Sequence, residues 1–338
     1  MDRKAISFFT LGLLVGTLLT AVALIPAIRS ARTGGGANKT VLKLGHVLPP
    51  SHAVHIAMEF MGKRAAELSG GTVEIQVFGG GQLGSEPECI EQTQRGALAM
   101  VKTSAAALEG FVPDMAVFGM PYLFRDEEHY WNVLLGDIGK EILRAGDPQG
   151  LHGLCYYDSG SRSFYTKDRP ILHPSDVNEM KLRVMPSKTA HNMITTLGGG
   201  PTPIPFGELY TALQQGMIDG AENNPPSFFS MRHYEVAKHY SLDEHTRVPD
   251  VVLFSKPIWD GLSPQVRAWI EQAAAESVIF QRKLWTQQTE EALEAVEQAG
   301  VTIYRPDKSP FVDAMAPMYA AIEGTRIGEL ARRVREAR

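Results

Sequence analysis

Apolar and polar positions alternate with a period of two over residues 73–78, the runs at 41–47, 97–101 and 151–157 are short and rich in apolar residues, and each run ends in a turn-prone cluster. Such runs read as short strands. Between them the apolar positions change to helical spacing. Ile56, Phe60 and Ala65 mark apolar faces of a helix that Ser51 or His52 leads and that ends near Leu68. Trp131, Leu134 and Leu135 mark a second helix over 126–144. Later the rhythm repeats, with strands at 181–184 and 219–223 and helices at 187–197 and 206–215 around a Gly/Pro-rich link at 198–205. Residues 257–299 read as almost continuous helix, with Ser263-Pro264 as N-cap and first position and Gly300 closing the last turn. A last strand ends at Tyr304, and 311–338 is a closing helical segment. Strands and helices in alternation predict an α/β fold.

The first thirty residues break this pattern. Arg3 and Lys4 precede an uncharged apolar stretch at 6–28, which reads as a secretory signal peptide or an N-terminal anchor over 1–30, followed by a Gly-rich linker at 31–39. Either way the body is expected outside the cytoplasmic membrane, in the periplasm. The 338 residues are 44 % hydrophobic and 21 % charged, enough for two domains with cores. A net charge of −5 with scattered basic residues argues against a nucleic-acid partner. The arginines at 326, 332, 333, 335 and 338 read as the cationic end of a last helix. Cys89 and Cys155 read as two buried thiols, since nothing in their spacing establishes a pair.

Candidate chemistry is sparse. Residues 79–84, Gly-Gly-Gly-Gln-Leu-Gly, satisfy the dinucleotide pattern formally, but the following strand runs into Lys102-Thr103-Ser104 where an acidic residue is wanted. His52, His55 and Glu59 have the spacing of a metal pair on a helix, without a second cluster to complete it. No nucleophile elbow, zinc motif or P-loop lysine is present. Asp158 with Ser161 and Ser163 lacks a His placed by spacing. No cofactor, metal or catalytic residue is therefore assigned, and a sugar-acid isomerase or lyase is kept only as the alternative.

A stronger signal comes from two residues near strand ends. Arg183 carries a charge inside a short strand, and Asn223 stands at the end of another, where ligand sites of α/β sheets gather. A guanidinium fork matches both oxygens of a carboxylate, and an amide beside it can orient the anion. An ion pair for Arg183, or a cap for the helix starting at Pro225, explains the same residues equally well. Arg162, just after another strand, is a second such charge or a surface arginine.

The runs Lys181 to Val184, Gly199-Gly200-Pro201-Thr202-Pro203, Phe206 to Gly216 and Asp219 to Asn223, in that order, resemble the DctP-type solute receptors of TRAP transporters. The likeness covers residues 40–320. It implies a two-lobed periplasmic binding protein, type II-like, with a long interdomain helix and a ligand held in the cleft. Residues 40–159 and 248–288 would form lobe I, and 160–247 with 289–338 lobe II. Residues 115–120 would form a strand approaching the hinge. The resemblance makes Arg183 the carboxylate partner, Asn223 its orienting amide and Arg162 a second contact. Phe206 would cover the ligand, and Glu86, His46 and His52 would read hydroxyls. His245 and Asp250 are left between pocket and strand end. The resemblance implies a membrane permease as the partner, driven by a sodium gradient. Residues 228–238 and 240–246 are similar to receptors for hexuronates such as glucuronate or galacturonate. A C4-dicarboxylate or another organic acid is the alternative ligand.

Overall fold

The structure, a computed structural model, describes residues 39–337, so the apolar segment at 1–30 lies outside the described residues. Two sheets organise the chain. The first runs β2-β1-β3-β10-β4, from strands β1 (Thr40–Gly45), β2 (Val73–Phe78), β3 (Met100–Ser104), β4 (Leu151–Tyr157) and β10 (Asp250–Ser255). The second runs β11-β9-β5-β8-β6-β7, from β5 (Arg162–Thr166), β6 (Lys181–Val184), β7 (Gly200–Pro203), β8 (Gly220–Asn223), β9 (His239–Thr246) and β11 (Thr302–Tyr304). The chain crosses to the second sheet after Tyr157 and returns through β10, which lies antiparallel between β3 and β4. This is a two-sheet α/β architecture with the chain crossing between its halves, as the sequence led us to expect.

Five helices matter for the site: α1 (Ala53–Leu68), α2 (Glu86–Gln94), α3 (Pro225–Ser230), α4 (Pro264–Gln298) and α5 (Arg326–Glu336). The longest, α4, has 35 residues and is started by Ser263, whose side chain accepts from Val266 N. Its first half buries Ile270, Ala273 and Ala274 in the core of the first sheet, while Val296 belongs to a second core with Tyr165, Phe228 and Tyr240. Midway, Gln281 exchanges two 2.9 Å hydrogen bonds with the backbone of Asp158, where the chain crosses between sheets. Gly160 sits there at φ 56°, and an added Cβ would come within 3.0 Å of the Trp285 indole. The helix is thereby fastened to both halves and to the crossing itself.

Several local expectations are corrected. Residues 113–119 form a 3-10 helix instead of a strand, opened by Pro113, whose fixed φ suits a helical start. The helix expected over 126–144 is two, Glu127–Leu135 and Asp137–Arg144, broken at Gly136, whose extended backbone ends one and begins the next. The supposed link at 198–205 contributes β7, parallel to β6 at the sheet edge, the place where Pro201 and Pro203 are tolerated. The last segment is also broken into short helices. Its final one, α5, lies on the first-sheet half: His129 Nε2 and Arg125 bond its carbonyls, and Arg333 pairs with Glu141. The sequence grouped it with the other lobe.

Candidate functional site

Strand pairing explains how the site is assembled. In the second sheet β8 lies between β5 and β6, with Arg183 beside Ala221 and Ser163 beside Asn223. Two arginines therefore flank the strand that carries Glu222 and Asn223. In the first sheet Lys102 pairs with Val252 and Ser104 with Asp250. Side chains alternate along a strand, so Lys102, Ser104 and Asp250 share one face. These two groups face a common cavity of about 420 Å³, its open mouth included, which Phe206, Glu86 and His52 also line.

Arg183 is 1 % exposed, and its guanidinium has a single hydrogen bond, from Nε to the Ile204 carbonyl at 2.9 Å. Nη1 is buried with no partner, and the Phe206 ring lies 5.9 Å from Cζ. Burial pushes this group below its usual range; the carboxylate of Glu222 offsets that only in part. Arg162, equally deep, is the opposite case. Its Nε and Nη2 grip the Glu222 carboxylate, Nη2 also donates to the Glu222 carbonyl at 2.8 Å, and Nη1 donates to Asn223 Oδ1 at 2.8 Å. Burial opposes the charge on Glu222, but Arg162 and then His245 outweigh it and hold the carboxyl at about 2. His245, between Asp243 at 2.8 Å and Glu222 at 3.5 Å, is held charged: burial opposes it, and Asp243 and Glu222 raise it to about 9.

The two rival explanations of the Arg/Asn pair thus fall on neighbouring residues. The structural ion pair belongs to Arg162. The cap of α3 is Asn224, whose Oδ1 accepts from Ser227 N at 2.9 Å. Asn223 uses Oδ1 for Arg162 and for Asn224 N, which leaves its Nδ2 for the cavity.

The remaining expected residues divide. Glu86, in the first turn of α2, accepts from Ser104 N at 2.9 Å and Thr103 Oγ1 at 3.3 Å through Oε1 and lines the cavity. His52 caps α1; because its Nδ1 accepts from Val54 N, Nε2 carries the proton and donates to Ser227 Oγ at 3.3 Å. Burial keeps this ring neutral, down to about 3. His46 is not brought to the cavity. Its Nδ1 accepts from Leu48 N and its Nε2 meets His55 Nδ1 at 2.9 Å, so both nitrogens are engaged. The Gly-rich turn serves this pair: a Cβ on Gly79 would lie 2.9 Å from His55 Nδ1 and 3.1 Å from His46 Nε2. Among the described residues no group of His, Cys, Asp and Glu suits a metal ion. Sequence reasoning passed over Lys102, Asn224, Ser227 and Glu222. The shared face of β3 and β10 is the signal that would have found Lys102.

Comparison with known proteins decides the family. The model of the bacterial extracellular solute-binding proteins, family 7 (DctP), matches residues 44–325. The chain belongs to the DctP family. A solved TRAP periplasmic solute-binding protein from Bradyrhizobium sp. BTAi1, in complex with α/β-D-galacturonate, is 43 % identical with a TM-score of 0.85, covering 87 % of this chain and 99 % of that one. Another from Roseobacter denitrificans, with bound β-D-glucuronate, is 36 % identical with a TM-score of 0.86, over 88 % and 100 % of the two chains. The C4-dicarboxylate-binding periplasmic protein DctP of Rhodobacter capsulatus is 31 % identical over 91 % of this chain and 92 % of its own length. A DctP-family chain is a solute receptor, and a cleft between two sheets suits that role.

Among the side-chain bridges between the two halves of this receptor are three: His52 to Ser227, Tyr122 Oη to Asp243 Oδ2 at 3.4 Å, and Glu109, whose carboxylate accepts from Ser187 Oγ at 2.6 Å and Thr189 N at 3.2 Å.

Proposed function

We propose that this receptor captures a hexuronate, glucuronate or galacturonate, in the periplasm and delivers it to a TRAP membrane permease without transforming it. The observation that carries the reading is the buried Arg183 guanidinium with an unpartnered Nη1 facing the cavity. A buried charge is strongly unfavourable until it is paired, and a carboxylate is the partner its fork fits. Asn223 Nδ2 fixes the anion's orientation, Arg162 holds Asn223 in place, and Phe206 covers the ring. Residues 40–159 with 248–288 and 160–247 with 289–325 act as lobes that close by hinge motion, and the three bridges form on closure.

Charge on the opposite wall supports a sugar acid over a short dicarboxylate. Asp250 on that wall is paired with Lys102 but Glu86 is not, so a second carboxylate would meet like charge at Glu86, whereas hydroxyls can donate to Glu86 and Asp250 alike. The C4-dicarboxylate-binding relative at 31 % identity supports the second reading, a dicarboxylate held at the same Arg183.

Thermal unfolding of the chain from Ala37 onward, against sugar acids and dicarboxylates, tests this. A ligand bound only by the folded state at 100 times its Kd adds about 2.7 kcal/mol. Stabilisation by hexuronates and not by succinate is expected; the reverse would establish the dicarboxylate reading.

A further inference from the structure

The geometry points to the Lys102–Asp250 ion pair as the element that selects the ligand by its hydroxyls, through recognition of two neighbouring ring hydroxyls. This rests on the sugar-acid reading above. Lys102 Nζ lies 2.9 Å from Asp250 Oδ2, and the two residues are 2 % and 4 % exposed. Both line the cavity, on the wall opposite Arg183. The strand register puts them there: Lys102 opposes Val252 and Ser104 opposes Asp250, so the pair spans β3 and β10 diagonally on one face.

Stability gives little reason for such a pair. Removing two charges from water costs about as much as their attraction returns, and well-packed apolar residues usually serve as well or better. What an ion pair in a cavity wall offers is unused hydrogen-bonding capacity. An ammonium has three protons and Lys102 commits one to Asp250; Asp250 commits Oδ2, and its other oxygen makes no bond to protein. Glu86 is in the same condition, with Oε1 bonded to Thr103 and Ser104 at the end of β3 and Oε2 unengaged. A hydroxyl both donates and accepts. Two neighbouring hydroxyls can therefore lie alongside the pair, one accepting from Lys102 and the other donating to Asp250. The spacing of adjacent ring hydroxyls is close to that of the paired heads.

A lone carboxylate gains nothing from this wall, because the pair is neutral as a unit and Glu86 beside it is not. The same wall turns away a second anionic group. The cavity thus has two ends with different tasks: charge is recognised on the second sheet and hydroxyls on the first. The ligand that satisfies both has one carboxylate and a diol on the far side of its ring.

The test is calorimetric titration of the receptor and of the double variant Lys102→Met/Asp250→Leu, which removes the pair without leaving an orphan charge. Two ligands are compared: D-galacturonate, and tetrahydropyran-2-carboxylate, which keeps ring and carboxylate but has no hydroxyls. The double variant is expected to lose roughly 30-fold or more in galacturonate affinity, the scale of one or two hydrogen bonds to charged groups. Its affinity for the hydroxyl-free acid should change by less than about 3-fold, since the carboxylate contacts on the other wall are untouched. Asp250→Asn, close to native in shape, should show a smaller loss of the same selectivity should the double variant fail to fold. Equal affinity of variant and parent for galacturonate, or equal losses for both ligands, overturns the inference while leaving the sugar-acid reading in place. A parent protein that binds no uronate but does bind succinate overturns both.

Discussion

Arg162 and Arg183 stand on the two strands flanking β8, both at 4 % exposure or less, yet their surroundings differ in kind. Arg162 is enclosed by the Glu222 carboxylate, the Glu222 carbonyl and Asn223, and is at rest. Arg183 has one carbonyl, an aromatic face and an idle Nη1. The first arrangement is what a fold does with a buried charge it needs for itself. The second is what it does with one reserved for a guest. Depth and residue type do not separate the two; the count of satisfied donors does.

Breaking the satisfied side should have the largest effect on the fold. Arg162→Ala leaves Glu222 buried with only His245 near it, and a loss of about 3 kcal/mol in unfolding free energy is expected, the scale for orphaning one member of a buried pair. Denaturant titration measures it; a change under about 1 kcal/mol would mean that Glu222 has another adequate partner.

Acidity tests the same region next. His245 is raised to about 9 in the folded state, so the stability it contributes is complete below its unfolded value of 6.5 and is lost as pH rises through 9. The shift corresponds to about 3 kcal/mol at most. On the acid side, His46 and His52 are held neutral down to about 2 and 3, chiefly by burial. The unfolded chain takes up their protons below 6.5, so stability falls as pH drops from there. Glu222, held at about 2, adds a loss that begins as pH drops below its unfolded value near 4.5. Unfolding free energy should therefore peak near pH 6.5, and His245→Phe should flatten the alkaline limb. An alkaline limb that survives in the variant would remove His245 from the account.

The two asparagines give the smallest contrast and the sharpest. Asn224→Ala removes the cap of α3 and should cost about 1 kcal/mol of stability. Asn223→Ala should weaken ligand binding, which Asn224→Ala should leave nearer to the parent value, and it also removes the acceptor of buried Arg162 Nη1, so some stability is lost with it. An exchange of these two outcomes would return Asn223 to the role of a cap.

How much of this was legible beforehand depends on the physics involved. Strands β2, β4 and β6, the start of α4 at Ser263-Pro264 and its end at Gly300 follow from local rules of period and capping, and the structure has them there. The break at Gly136 and the 3-10 turn at Pro113 went unread because the apolar spacing on either side suits one longer element, and a single residue decides otherwise. Within the site, Arg183, Asn223, Arg162, Glu86, His52 and Phe206 meet at one cavity, although their residue types alone do not say which arginine is free. That depends on Glu222, whose carboxylate reaches one neighbouring strand and not the other. His46 was misplaced for a related reason: its partner, His55, lies nine residues away on α1, and only the folded turn at Gly79 brings them together. Lys102 and Asp250 are 148 positions apart and become neighbours through the return of the chain along β10.

Calorimetric titration of D-galacturonate and D-glucuronate into the parent receptor and into Arg183→Ala tests the central claim most directly. The parent should bind at least one of the two, and the variant should lose about 100-fold or more, equivalent to roughly 3 kcal/mol for a desolvated charge pair, with its unfolding midpoint unchanged or raised. Undiminished affinity in a folded Arg183→Ala would show that the carboxylate is held elsewhere and that the idle guanidinium is not the receptor's anion site.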